Sequence, residues 1–117
     1  MYDWNEYFKL GNILIAKNTE AEQRTAVSRL YYALYHLSKT YATSHGHRPP
    51  KHSQHEALIN WYKNNRNAQM SAFGVKLEIL KGWRVDADYG YSCFPVNTPK
   101  ACKRLACDLH SELNKLP

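Results

Sequence analysis

The stretch Ala26-Val27-Ser28-Arg29-Leu30-Tyr31-Tyr32-Ala33-Leu34-Tyr35-His36-Leu37-Ser38-Lys39-Thr40-Tyr41 decides the fold. Val27, Leu30, Tyr31, Leu34, Leu37, Ser38 and Tyr41 recur at steps of three and four, the spacing of one continuous helical face turned to a core. Upstream, Asn18 or Thr19 supplies a capping side chain, and Glu20 and Glu22 suit the positive end of the helix dipole. Downstream, His45-Gly46-His47-Arg48-Pro49-Pro50 cannot continue a helix, so the segment is predicted to end near residue 43.

Helical spacing also governs the flanks. A first helix is expected over 3–17, with Trp4, Tyr7, Phe8, Leu10, Leu14 and Ile15 as its apolar stripe. Gly11 weakens its middle by about 1 kcal/mol relative to Ala. A third helix over 51–65 buries Ala57, Leu58, Trp61 and Tyr62, and the polar Asn64-Asn65-Arg66-Asn67 closes it. A fourth over 68–86 carries Met70, Phe73, Leu77 and Leu80 at helical steps, and 89–97 reads as an irregular loop. Thr98 before Pro99 marks a helix start, a capping side chain followed by proline at the first helical position. The last helix then buries Ala101, Leu105, Leu109, Glu112 (by its stem) or Leu113, and Leu116. Strand alternation is nearly absent, and no repeat or linker divides the chain. The expectation is one all-α domain over 1–117, an antiparallel bundle of four to five helices.

With 117 residues, 44% of them apolar and 22% charged, the chain can bury an ordinary core and is far from a disordered composition. No apolar run spans a bilayer. The start, Met1-Tyr2-Asp3-Trp4-Asn5-Glu6, lacks the basic and apolar regions of a secretory signal, so a cytoplasmic protein without membrane contact is expected. The net charge is +6. Asp3, Glu6, Glu20 and Glu22 outnumber Lys9 and Lys17 at the start, which leaves the basic excess in the remainder. Such a surface favours phosphate-bearing partners, RNA or nucleotides, although solubility alone also produces it. Cys93, Cys102 and Cys107 fit no zinc spacing and leave one thiol over in any disulfide scheme, so they read as reduced residues of the core or its margin.

Arg29 and His36 stand seven residues apart, which on a helix separates them by about 20° in azimuth and about 10 Å along the axis. Both lie off the face formed by Leu30, Leu34 and Leu37. A fixed guanidinium and a titratable imidazole on one stripe suit phosphate chemistry, the first holding charge and the second moving protons. An exposed arginine beside a packed histidine is the plainer account of the spacing.

The words around the pair add to this. Ser28-Arg29-Leu30-Tyr31-Tyr32-Ala33-Leu34-Tyr35-His36 resembles the second-helix signature of the HEPN (higher eukaryotes and prokaryotes nucleotide-binding) domains, an arginine followed by Tyr-Tyr and then, a turn later, a histidine. Leu80-Lys81-Gly82-Trp83-Arg84-Val85-Asp86-Ala87-Asp88-Tyr89 resembles that family's Leu…Arg…Ala-Asp-Tyr ending of the penultimate helix. His45-Gly46 and His52-Ser53 are similar to its connecting region. The resemblance spans nearly the whole chain. It implies a HEPN-like bundle, a homodimer with the two Arg…His motifs facing each other, and metal-independent cleavage of RNA to a 2′,3′-cyclic phosphate and a 5′-hydroxyl. His36 would then be the acid or base and Arg29 the phosphate ligand, in a toxin–antitoxin or defence setting with a nucleotidyltransferase-type antitoxin as partner. No cofactor or metal is implied.

Two positions depart from the family pattern. Leu30 follows the arginine where catalytic members carry Asn, Asp or His. Ser38 stands two residues after the histidine, where some toxin members carry a modified tyrosine. The alternative is a non-catalytic module that binds a nucleotide or docks on a nucleotidyltransferase, with Arg29 and His36 structural and Arg29 paired to Asp88. A protein-interaction module covering a partner helix is a third reading. Tyr32 and Tyr35 flank the Arg/His stripe as candidates for base or dimer contact, whereas Tyr31 belongs to the core. Arg84, Asp88 and Tyr89 read as a helix-end network. His45, His47, His52 and His55, four imidazoles near Glu56, have the ligand types for zinc or nickel but not the usual spacing. They fit better with Arg48, Lys51, Lys63 and Arg66 as a basic rim, in which Arg48 and Lys51 would meet an RNA backbone.

Overall fold

A computed structural model describes residues 2–90 and 97–117. It is all-α: α1 (Asn5–Ile15), α2 (Glu20–Ser44), α3 (Gln54–Lys63), α4 (Ala68–Tyr89) and α5 (Thr98–Leu113), with no strand among the described residues. Thr19 caps α2, its Oγ1 accepting from the Glu22 amide at 3.2 Å and donating to the Glu22 carboxylate at 2.7 Å. Asn67 caps α4, accepting from the Met70 amide at 3.0 Å.

Three boundaries differ from expectation for identifiable reasons. α3 begins at Gln54 rather than 51 because Ser53 adopts a left-handed conformation with φ 57° that turns the chain just before it. α4 continues to Tyr89 rather than 86. Arg24, reaching over from α2, donates to the carbonyls of Asp86, Ala87 and Gly90 at 3.1, 2.9 and 3.2 Å, which satisfies acceptors at that helix end. Thr98 is itself the first residue of α5, preceded by Asn97, which makes no side-chain cap. Residues 91–96 of the expected loop, and with them Cys93, lie outside the described residues.

α2 is the hub and packs against all four other helices. Val27, Leu30, Tyr31 and Leu34 are fully buried with Leu58, Tyr62, Phe73, Leu77, Leu80 and Leu109. The expected face of α2 is thus largely right, except that Leu37 and Tyr41 are only half-buried while Ala26, Ala33 and Ala42 are fully enclosed. In α3, Ile59 is buried and Trp61 half-buried. In α5 the buried set is Pro99, Cys102, Ala106 and Leu109, with Ala101 exposed and Leu105 half-buried. Burial, with Cys107 nearby, pushes the Cys102 thiol up to about 12.

Gly11 is a contact residue rather than a weak point. A Cβ there would stand 2.7 Å from Leu30 Cγ, so its absence lets α1 lie close on α2. Gly74 does the same for α3 and α4, where a Cβ would meet the Lys63 amide nitrogen at 2.7 Å. The Cα radius of gyration is 14.0 Å, near the roughly 13 Å expected of one compact domain of this length. Among the described residues no helix is long and apolar enough to cross a membrane.

Candidate functional site

Arg29 and His36 occupy the flank of α2 that α1 covers. The Arg29 guanidinium lies over the Tyr7 ring, 4.8 Å from its centroid, and donates to the Tyr7 hydroxyl. The His36 ring stacks on Trp4, with centroids 3.7 Å apart and planes 9° from parallel. Tyr2, Trp4 and Tyr7 meet edge-to-face, so the first turn of α1 and the residues leading into it form an aromatic cover over both residues. Both are half-buried, not on an open stripe. Burial, and secondarily the Lys39 ammonium, holds the His36 imidazole below its ordinary value. At neutral pH His36 is therefore uncharged and able to accept a proton.

A second histidine, on α3, faces the same side of α2. His55 stacks on Tyr35 with centroids 3.8 Å apart and planes 11° from parallel, and its Nδ1 lies 2.7 Å from the Tyr31 hydroxyl. Tyr35 is only 4% exposed, so its ring face is taken; of the two tyrosines read as base contacts, Tyr32 is the half-buried one. Desolvation first, then the charges of Arg84, Lys81, His36 and Lys39, pushes His55 down to about 4. Burial raises the Tyr31 hydroxyl well above its ordinary value. From sequence, His55 belongs only to a histidine-rich rim. The signal available was Tyr31: a core tyrosine needs a hydrogen-bond partner for its hydroxyl.

Arg84, 8% exposed, lies 5.2 Å from the Tyr31 ring centroid and 5.3 Å from that of Tyr32. Its Nη1 stands 3.6 Å from Asp88 Oδ2, which also receives the Ser28 hydroxyl at 3.4 Å. The Arg29–Asp88 pair does not form: Asp88 belongs to Arg84 and Ser28, and Arg29 to Tyr7. Tyr89, the last residue of α4, is 69% exposed. Ser38, two residues after His36, is buried with its hydroxyl on the Tyr35 carbonyl at 3.1 Å.

The four imidazoles of residues 45–55 are dispersed. His45 stacks on Tyr41, His47 lies near Trp61, His52 is exposed and His55 is held by Tyr31 and Tyr35. Among the described residues no three His, Cys, Asp or Glu side chains gather to hold a metal ion. Arg48 and Lys51 are exposed between α2 and α3, and Lys63 is paired with Glu78 at 3.0 Å. A cleft of about 320 Å³ near the start of α5, lined by Lys17, Lys100 and Lys103 among others, contains none of the candidate residues. No known family model, curated protein or solved structure matches the chain.

Proposed function

We propose that the chain is a HEPN-like, cytoplasmic, metal-independent endoribonuclease acting as a homodimer. The observation that supports it is His36, an imidazole kept neutral in a half-buried, aromatic-walled position on the same helix flank as Arg29. In this reading His36 takes the proton of the ribose 2′-hydroxyl. The 2′-oxygen then bonds to phosphorus, the bond from phosphorus to the 5′-oxygen breaks, and the imidazolium formed at His36 gives up that proton to the leaving oxygen, directly or through water. Arg29 holds the phosphoryl oxygens as their charge grows. A nucleotidyltransferase-type antitoxin would restrain the activity.

The contacts of Arg29 with Tyr7 and His36 with Trp4 favour a second reading, in which both are structural and the chain is a non-catalytic nucleotide-binding or nucleotidyltransferase-docking module. Cleavage of mixed RNA in excess chelator separates the two. Wild type should leave cyclic-phosphate ends, and His36→Ala and Arg29→Ala, folded by circular dichroism, should not. Equal silence in all three, or unfolding of Arg29→Ala alongside an inactive wild type, supports the module.

A further inference from the structure

We propose that Lys39, His55 and Lys81 form a seat for a phosphate group beside His36, backed by Arg84. The geometry comes from three helices. Lys39 on α2 lies with its Nζ 5.8 Å over the Tyr35 ring and donates to Gln54 Oε1 at 3.2 Å, which holds it beside the first turn of α3. His55 follows Gln54 and lies flat against that same Tyr35 ring. Lys81 stands one turn before Arg84 on α4, half-buried.

Behind them Arg84 is more than nine-tenths buried, and among the described residues its Nε has no hydrogen-bond partner. A buried donor of a charged group left unmade is costly, and such a group calls for an acceptor. The groups around His55 are Tyr31, Tyr32, Tyr35, His36 and Lys39 from α2, and Lys81 and Arg84 from α4, whose ion-pair partner is Asp88. Among the described residues, three cations and two imidazoles thus gather here with Asp88 as the carboxylate paired to them. Burial is the first cause of the reluctance of His55 to take a proton; the repulsion of these cations is the second, and that part an anion relieves. Phosphate fits the arrangement: it accepts from several donors at once and carries the charge the cluster lacks. The seat deepens the ribonuclease reading and, as an RNA subsite, rests on it; as a phosphate site it is measured without any cleavage.

The test is nuclear magnetic resonance of the whole chain, following the His55 ring through an acid titration at constant ionic strength, with chloride or with inorganic phosphate. Phosphate should raise the His55 midpoint by about one pH unit or more. In Lys81→Gln and Lys39→Gln the midpoint in chloride should already be higher, and phosphate affinity about tenfold weaker. At neutral pH, where folding is not in question, phosphate should move the His55 and His36 ring signals. A His55 midpoint and ring signals unmoved by phosphate, or a response unchanged in both lysine variants, overturns the seat. Adenosine 5′-monophosphate and a short single-stranded RNA identify the source: affinity rising from phosphate to nucleotide to RNA places a nucleic-acid phosphate there, and equal affinity places the free ion. Phosphate binding without RNA cleavage keeps the seat and removes the nuclease; cleavage that depends on His36 without phosphate binding does the reverse.

Discussion

At His55 burial and charge act in one direction, and the consequence is a dependence of stability on pH. The unfolded chain protonates this imidazole near its ordinary value of about 6.5, whereas the folded chain resists until about 4. Between those limits the unfolded state holds more protons, so stability is full above the upper limit and declines as the pH falls toward the lower one. His36, His47 and His110, each held below its ordinary value by burial first, add to the same slope. Replacing His55 by Phe keeps a ring against Tyr35 and removes one titration. The urea midpoint of His55→Phe should fall less between about pH 7 and about pH 4.5 than that of wild type. A parallel loss in both proteins would remove His55 from the account. None of this is legible at position 55 itself, because the partners come from α2 and α4 and leave no trace in local spacing. Arg29 and His36 are legible as a stripe, yet their covers, Tyr7 and Trp4, read in the sequence only as core residues of another helix.

Between elements, the glycines record how closely helices approach. Gly74→Ala would push a methyl group against the backbone of Lys63, which cannot rotate aside; the expected cost is about 1–3 kcal/mol. Gly82, in the interior of α4, is exposed, and a methyl group added there would meet nothing within 4 Å. Gly82→Ala should therefore stabilise by about 0.5–1 kcal/mol, the ordinary helix gain. Urea denaturation of both variants checks the pair, and a neutral Gly74→Ala would argue against so close a crossing of α3 and α4. The same closeness explains where sequence reading of α5 fails. It places Ala101 and Leu105 inward with Leu109, but the helix is turned one residue on, so that Cys102 and Ala106 go inward with Leu109. Close helix contacts admit small side chains, and small residues such as Ala101, Cys102 and Ala106 fix the rotation of a helix less firmly than leucines do. The central helix reads better because Leu30, Tyr31 and Leu34 are both large and inward.

For the whole molecule, the all-α architecture follows from helical periodicity and caps, which are local and survive in a single sequence. Function is non-local, and the proposed RNA contact is a matter of net charge and its placement. If the basic face binds single-stranded RNA through four phosphates, affinity should fall about fiftyfold between about 50 and about 200 mM salt. Replacing the exposed Arg48 and Lys51 together by Ala should lower the slope of log affinity against log salt by about 1.4. Filter binding or fluorescence anisotropy over a salt series measures both. A flat salt response would instead suit a module that docks on protein.

The stack of Trp4 on His36 also makes the molecule its own optical indicator. Indole emission is quenched by a protonated imidazole in contact with it, because the imidazolium accepts an electron from the excited ring. With Trp61 and Trp83 replaced by Phe, the remaining emission comes from Trp4 and reports the charge on His36 alone. It should dim on acidification with a midpoint below that of a free imidazole. Any nucleotide or RNA that displaces the indole, or changes the proton on His36, would then be seen in the fluorescence of the unlabelled protein.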